Sequence, residues 1–256
     1  MIAEKLARYD LFRRALRAVL PTDANYWRVY APVIKILKDS HEHQLIREKV
    51  NRSLHLNGQD TVLEAGCGNA LWLAEISSKV KLAVGLDHTG EMLAVAKKNL
   101  PGALFVQGDL NAPLPIQSGA LTKIGSILVE GYLHNDQLSR EENFRALAPG
   151  GLIAVVTPRR GARFFKVLAA EARHRQEEQS VLRNLRKLPL ALIAIIFGKI
   201  AELKAVIGDW HFYDQAQLRE RYQKAGFEIV ACESVYADQA WLLIARKPDG
   251  VDGAGR

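Results

Sequence analysis

The amino-acid sequence predicts an α/β protein with a doubly wound, mostly parallel sheet of seven strands. Two observations support this prediction. Between residues 61 and 156, short runs rich in Val, Ile and Leu alternate with polar, helix-prone segments. The runs barely alternate in polarity, as strands covered on both faces do, and a strand–helix–strand repeat is typical of a parallel sheet. An N-terminal helical segment and a helical cap before the last two strands complete the predicted fold.

Each element has its own signal in the chain. Residues 1–55 are predicted to be helical, because apolar side chains recur there at helical spacing; they are Ile2, Leu6, Tyr9, Phe12, Leu16 and Leu20. Strands are then expected at TVLEA, LAVGLD, ALFVQGD, IGSILVE and LIAVVT, and two more at FEIVACESVY and AWLLIARK.

About 70 residues separate the fifth predicted strand from the sixth, far more than one crossover helix requires. They contain a charged helical stretch, the apolar run LPLALIAIIFGKI, and a helix with Asp214 as N-cap and Gly226 as its C-terminal stop. We predict that residues 157–213 form a cap over the carboxyl edge of the sheet, where such folds bind ligands. The main domain then spans residues 56–247, and we expect the tail, 248–256, to be disordered.

The net charge of +7 is unevenly distributed. Residues 1–55 contain 11 Lys/Arg and 6 Asp/Glu, and residues 159–207 contain 11 and 4, so these segments carry +5 and +7 and the remainder −5. This asymmetry indicates an acidic partner, a membrane surface or nucleic acid, or an ordinary solvated basic face. Two cysteines are too few for a disulfide framework, and the chain starts with no secretory signal, so we expect a cytoplasmic protein with reduced thiols.

The stretch VLEAGCGNALW combines an acid, Glu64, with two glycines, Gly66 and Gly68, directly after the first predicted strand. A dinucleotide-binding fingerprint requires a third glycine three residues later, where the helix must approach the pyrophosphate. That position is Leu71. The loop therefore favours a ligand that approaches the backbone closely but does not place a phosphate on the helix N-terminus.

Two further acids follow at the ends of successive predicted strands, Asp87 and Asp109. With the glycine loop, they give a pattern that resembles the class I S-adenosylmethionine-dependent methyltransferases. LAPGGLIAVVTPRR and YLHN are similar to segments of the small-molecule group typified by ubiquinone and menaquinone biosynthesis methyltransferases. The resemblance implies a Rossmann-like fold, methyltransferase activity and S-adenosyl-L-methionine as cofactor. We expect no metal site.

The resemblance also implies roles for particular side chains. Asp87 would accept hydrogen bonds from both ribose hydroxyls, and Asp109 and Leu110 would hold the adenine. Met92 either packs on the adenine or fills a gap in the core. The predicted cofactor residues are Glu64, Ala65, Gly66, Cys67, Gly68, Asp87, His88, Met92, Gly108, Asp109, Leu110, Tyr26 and Tyr30. The two tyrosines either fold over the cofactor or belong to the core.

A general base is needed only if the acceptor is protonated at neutral pH. The candidates are Glu130, Tyr132, His134, His211 and Tyr213, which fall near the end of the fourth strand or in the cap. We rank His134 first; the alternative is a structural histidine bonded to backbone. Glu130 is also suited to capping a helix.

The cap suggests the acceptor. Its apolar run, flanked by cations, fits a small hydrophobic or amphiphilic (quinone- or lipid-like) molecule; it also fits the cap's own core or a homodimer interface. VEGYLHN lacks the Asn/Asp-Pro-Pro-aromatic motif of nucleic-acid amino-methyltransferases, so a nucleic-acid acceptor is disfavoured. The N-terminal helix predicts reversible contact with an anionic membrane. The alternative function is a non-catalytic cofactor-binding or RNA-associated module that uses its basic segments.

Overall fold

The computed structural model describes residues 12–22, 25–26, 40–177 and 188–250. Residues 1–11, 23–24 and 27–39 of the predicted N-terminal segment, Tyr30 among them, and residues 251–256 of the tail lie outside the described residues. Residues 12–19 are helical, as their periodicity predicts.

The sheet has seven strands in the order β3-β2-β1-β4-β5-β7-β6. Neighbours are parallel except β7, which runs antiparallel to both β5 and β6. The mostly parallel, doubly wound sheet is therefore confirmed. The strands are β1 Thr61–Ala65, β2 Leu82–Asp87, β3 Leu104–Gln107, β4 Leu121–Ile127, β5 Leu147–Pro158, β6 Glu228–Val235 and β7 Ala240–Arg246.

Helices connect these strands and cover both faces of the sheet. They are α1 His41–Leu54, α2 Leu71–Ile76, α3 Gly90–Asn99, α4 Asp136–Ala146, α5 Phe164–Glu177, α6 Leu188–Ile207 and α7 Gln215–Lys224. The capping signals of α7 are confirmed, because Asp214 forms a capping box with Gln217 and Gly226 adopts a φ of 98°. Among the described residues, no helix combines the length and the apolar character needed to cross a bilayer.

The core has an apolar layer on each face of the sheet. Trp72 and Ile46 belong to one layer, and Leu63 and Ile124 to the other. Gly125 in β4 makes room for the first layer, because a Cβ built there would lie 2.4 Å from Cη2 and Cζ3 of Trp72. The continuous apolar runs of the sequence are thus explained by burial on both faces.

The fourth strand differs from the prediction. It begins at Leu121, three residues before the predicted start at Ile124, and ends at Ile127 rather than at Glu130. The reason is Leu128, whose φ of 56° takes the chain out of the extended conformation. Glu130 consequently begins a short 3-10 turn, Glu130–Tyr132, at the carboxyl edge of the sheet.

Helices α5 and α6 lie between β5 and α7 in the chain, where the cap is predicted. They contribute to a third apolar cluster, which we call the aromatic cluster: Tyr26, Tyr132, Phe164, Phe197, Trp210 and Phe212. The rings of Tyr26 and Trp210 meet edge to face, with centroids 4.9 Å apart. This cluster joins the cap to the carboxyl edge of the sheet.

Candidate active site

A cleft of about 340 Å³ opens at the carboxyl edge of the sheet, in the size range of small-molecule sites. It brings together residues that the sequence places at the ends of different strands. The predicted residues that line it are Tyr26, Glu64, Gly66, Gly68, Asp87, His88, Met92, Gly108, Asp109, Leu110, Tyr132 and His134.

The loop between β1 and α2 is bent by residues with positive φ. Gly66 has a φ of 77° and Gly68 a φ of 51°, and Ala70 adopts 59° at the position just before α2. A Cβ built on Gly66 would lie 2.5 Å from Cγ2 of Val129, so a side chain does not fit there. Gly66 therefore allows both the turn and the close approach of Val129, two residues beyond the end of β4.

Asp87 fastens this loop from the end of β2. Its Oδ2 accepts a hydrogen bond from the Gly68 backbone N–H at 2.8 Å, and its Oδ1 accepts one from the Thr89 N–H at 2.9 Å. A carboxylate has about four lone-pair sites, so both oxygens retain capacity for the hydroxyls of a ligand. Glu64, also buried, accepts from the Leu73 N–H at 3.1 Å.

Asp109 is linked to the candidate base through Asn111, which the sequence reasoning missed. Oδ1 of Asp109 accepts from the backbone and side-chain nitrogens of Asn111, at 2.9 and 2.8 Å. Oδ1 of Asn111 accepts in turn from the His134 and Asn135 N–H groups, at 2.8 and 3.0 Å. The signal in the sequence was an Asn two residues after Asp, typical of an Asx turn.

Helix α1 supplies a polar wall that was also missed. His43 and Arg47 line the cleft, and both are buried. Arg47 Nε donates to Glu75 Oε1 at 2.7 Å, and the His43 ring stacks on Tyr236 with centroids 4.9 Å apart. The signal was two polar residues at i and i+4 beside Ile46, on the face of the helix that should be apolar.

The roof of the cleft is apolar and comes largely from the cap. Phe164, Val167 and Leu168 of α5 and Gly198 and Ala201 of α6 line it. Gly198 allows the two helices to approach, since a Cβ built there would lie 2.8 Å from the Phe164 Cβ. The cleft therefore has a polar floor at the strand ends and an apolar roof.

Several predicted residues do not line the cleft. Ala65 and Cys67 are buried beneath the loop, and Tyr30 lies outside the described residues. Neither Cys67 nor Cys232 is in a disulfide. The backbone N–H of Cys67 donates to the Leu86 carbonyl at 2.9 Å, so its contribution is to the shape of the loop.

Glu130 is not in the cleft either, which argues against it as a general base. Its carboxylate is buried and accepts from Arg140 at 2.6 Å and from the hydroxyl of Tyr222. Arg140 also donates to Asp136 at 2.9 Å. Burial raises the pKa of Glu130 and outweighs the opposing effects of Arg140 and Tyr222. This buried network supports the turn from below.

His211 and Tyr213 line a second concavity, separate from the cleft. His211 pairs its ring Nδ1 with the Leu133 carbonyl at 3.0 Å, and its backbone N–H donates to the Gly131 carbonyl at 2.8 Å. The Tyr213 hydroxyl donates to Asp136 at 2.6 Å, and burial and this bond raise the pKa of Tyr213. Both residues hold the turn after β4, so their position supports a structural role.

Known proteins share the motif-bearing part of the chain. The family model described as "Methyltransferase domain" matches residues 62–151. A probable S-adenosylmethionine-dependent methyltransferase of Mycolicibacterium smegmatis is 32% identical over 103 residues, 40% of this chain and 39% of that protein. The demethylmenaquinone methyltransferase of Staphylococcus carnosus is 24% identical over 221 residues, 80% of this chain and 83% of that protein. The match thus spans about two fifths of the first relative and most of the second.

Solved structures share the fold over most of the chain. A chain from the complex between the Haloferax volcanii Trm112 methyltransferase activator and a methyltransferase has a TM-score of 0.64 at 17% identity, covering 89% of this chain and 98% of the other. An S-adenosylmethionine-dependent methyltransferase from Aquifex aeolicus has a TM-score of 0.58 at 16% identity, covering 85% and 98%. At these identities the likeness establishes the Rossmann-like fold.

Proposed function

We propose, from the premise that this chain carries a class I S-adenosylmethionine-dependent methyltransferase domain, that it methylates a small hydrophobic or amphiphilic acceptor of quinone- or lipid-like chemistry. One observation carries the proposal. The acids and glycines from the ends of three strands meet in a single cleft under an apolar roof. This arrangement offers polar partners for a nucleoside-like cofactor on one side and a dry surface for the acceptor on the other.

The residues of the polar floor fit the chemistry of S-adenosyl-L-methionine, which supplies a methyl group on a positively charged sulfur. Asp87 has lone pairs for the ribose hydroxyls, and Asp109, Leu110 and Met92 would hold the adenine. Gly66 and Gly68 line the cleft, so backbone without a side chain faces the methionine end there. Carboxylates in this floor also favour a cationic ligand over a phosphate.

The protein contributes to the transfer by binding and orienting the two reactants and by excluding water. In-line displacement requires the acceptor atom behind the methyl carbon, and correct placement alone accelerates such reactions strongly. The cap side chains Phe164, Val167 and Leu168 keep the roof apolar, which excludes water from the reacting atoms. Tyr132 packs edge to face on Trp210, 4.8 Å between centroids, so we propose that it shapes the acceptor side.

His134 is the proposed general base for an acceptor that carries a proton, such as a hydroxyl. It lines the cleft and is exposed, while Asn111 fixes its backbone beside Asp109. An acceptor whose reacting atom is already unprotonated would leave His134 as a positioning group.

The acceptor class is inferred from the roof and from one relative. The demethylmenaquinone methyltransferase of Staphylococcus carnosus aligns with 80% of this chain, which supports a quinone-like acceptor. The chain has two cysteines, too few for a disulfide framework, so we propose a cytoplasmic enzyme that reaches membrane-held acceptors. The basic segments leave one alternative, an RNA-associated or partner-binding module that holds the cofactor without transferring methyl groups.

Calorimetric titration with S-adenosylhomocysteine tests the cofactor assignment. We expect Asp87→Ala to weaken binding by about 2–4 kcal/mol, because charged hydrogen bonds are lost and the loop loses its fastening. Glu91→Ala, an exposed acid four residues further on, is the matched control and should bind normally. Unchanged affinity in Asp87→Ala would refute the assignment, and a wild-type preference for NAD would refute the family.

Methyl transfer to a panel of quinols and lipid-like phenols separates the enzyme from the non-catalytic alternative. Turnover of at least one panel member, lost in Asp87→Ala, supports the proposal. Cofactor binding without turnover, together with salt-sensitive RNA binding, would favour the alternative.

A further inference from the structure

Helix α6 has one face toward the cleft and one exposed face. On the inner face, Gly198 and Ala201 line the cleft, and Phe197 meets Tyr26 edge to face with centroids 5.1 Å apart. The roof of the site is therefore one helix thick along α6.

The opposite side of α6 is exposed and largely apolar. Ile196 and Val206 are each 58% exposed, and Ile195 and Leu203, 38% and 37% exposed, lie on the same side of the helix. Lys199 and Glu202 form an ion pair within this surface. We call the set Ile195, Ile196, Lys199, Leu203 and Val206 the outer face of α6. A contiguous exposed apolar surface rimmed by charges is typical of an interaction site.

The helix at residues 12–19 lies beside the C-terminal end of α6. Arg17 donates to Asp209, just beyond that end, at 2.7 Å. Phe12 is 52% and Val19 76% exposed, so this helix also presents apolar side chains to the surroundings. Its sequence, FRRALRAV, contains three arginines and no acid.

Charge decides which partner this surface fits. Residues 12–19 and 195–209 together contain five Lys/Arg, one Glu and one Asp, a net charge of +3. Lys204 is buried and does not add to the charge of this surface. A second copy of the chain would bring like charges together, whereas an anionic lipid surface is complementary to them. Long cationic side chains can also lie along apolar surface while their charges reach the headgroups.

We propose that the outer face of α6 and helix 12–19 dock on an anionic lipid bilayer, with α6 as the partition between the lipid and the cleft. The docking is inferred from this surface alone. That the docking admits a lipophilic acceptor beneath α6 rests on the proposed function. Attachment of this kind is reversible and weakens with salt, because the Debye length falls from about 10 Å at 0.1 M to about 3 Å at 1 M.

Vesicle co-sedimentation of the full chain tests the docking. The probes are phosphatidylcholine vesicles with and without phosphatidylglycerol, at low and at high salt. We expect wild-type binding to the anionic vesicles at low salt, and a loss of about tenfold or more in Ile196→Glu and Val206→Glu, since each puts an acid where apolar contact is required. Val230→Glu is the matched control, because Val230 is 60% exposed but lies on β6; it should bind as wild type does.

Absence of wild-type binding to anionic vesicles would overturn the docking, and so would an equal loss of binding in Val230→Glu. A wild-type dimer that Val206→Glu dissociates would also overturn it, because the outer face of α6 would then belong to a second copy of the chain. S-adenosylhomocysteine titration of the same proteins keeps the two proposals apart. Variants that lose vesicle binding should retain normal titration curves, and a wild type that binds vesicles but not S-adenosylhomocysteine would refute the proposed function and leave the docking intact.

Discussion

Arg47 lies on the wall of the cleft, where it pairs with Glu75 of α2, and its position suggests a ligand group as a further partner. Within the described part of the chain, no other Lys or Arg lines this cleft. Its side chain is only 10% exposed, and a guanidinium there can pair with a carboxylate on two nitrogens. The methionine end of the cofactor carries such a carboxylate.

We therefore expect Arg47→Met to weaken S-adenosylhomocysteine binding by about 1.5–3 kcal/mol, the loss of a hydrogen bond to a charged group. Binding of 5′-methylthioadenosine, which lacks the amino-acid end, should not change. Arg52→Met, an exposed arginine in the last turn of the same helix, is the control. Equal losses for both ligands in calorimetry would show that Arg47 only supports the fold.

Gly125 is a second position where one atom decides the packing. A Cβ there would lie 2.4 Å from the Trp72 ring, which is itself held by a 2.6 Å hydrogen bond from Nε1 to Asn51. We expect Gly125→Ala to lower the free energy of unfolding by about 1–3 kcal/mol through overpacking, measured by urea denaturation.

Gly58→Ala, where a Cβ meets nothing within 4 Å, should change the stability by less than about 0.5 kcal/mol. The double variant Gly125→Ala with Trp72→Phe should lose less stability than the sum of the two single losses, by about 0.5 kcal/mol or more. Strict additivity of the two substitutions would contradict the steric explanation.

At the scale of elements, the turn after β4 depends on a buried network of opposite charges. Glu130, Asp136 and Arg140 are all buried, and α4, α7 and the turn meet there. Burial by itself would raise the pKa of Asp136, but bonds from Arg140 and Tyr213 outweigh it and lower that pKa. Glu130 shifts the other way, because burial dominates and raises its pKa.

These shifts have opposite effects on stability. A raised pKa means that Glu130 keeps its proton to a higher pH in the folded chain than in the unfolded chain. The free energy of unfolding therefore falls as pH rises from about 4.3 through the folded pKa of Glu130. Asp136 contributes stability above about pH 3.9 that is lost as pH falls through its lowered pKa.

We expect Glu130→Gln to remove the first effect, so that the unfolding free energy above about pH 4.3 falls less with pH than in wild type. The amide oxygen still accepts from Arg140, which limits the loss of stability itself. Glu141→Gln, an exposed acid on α4, should leave the pH profile unchanged. Urea denaturation across pH measures this, and a parallel profile in Glu130→Gln would contradict the assigned direction.

At the scale of the whole molecule, the cap is attached to the sheet domain through α1 as well as through the aromatic cluster. Buried Glu171 of α5 accepts from the N–H groups of His41 and Glu42, at 3.3 and 2.7 Å, and so caps the N-terminus of α1. The rings of His41 and His174 stack beside it, 3.7 Å between centroids.

We expect Glu171→Ala to destabilise the protein by about 1–2 kcal/mol, as loss of a helix cap does. Amide hydrogen exchange should quicken in α5 and in the first turn of α1 while the central strands stay protected, since the cap would open locally. Glu48→Ala, an exposed acid of α1, provides the comparison. Uniform acceleration throughout the sheet would mean that the cap and the sheet open together.

The sequence by itself determined the α/β class, the mostly parallel sheet and the acids and glycines of the cleft floor. Strands buried on both faces must be continuously apolar, and residues such as Asp87 and Asp109 end successive strands, so they meet at one edge of a parallel sheet. Both signals are local, which is why the chain alone reveals them.

Only the tertiary structure decided which side chains from outside the sheet reach the cleft. His43 and Arg47 arrive because α1 packs against β5, and Glu130 was lost from the candidates because Leu128 turns the chain and Arg140 holds the carboxylate below. Such contacts join residues far apart in the chain, and their geometry follows from packing rather than from spacing. Since no local pattern encodes a packed contact, the floor of the site could be predicted from sequence, whereas its wall and its roof required the folded molecule.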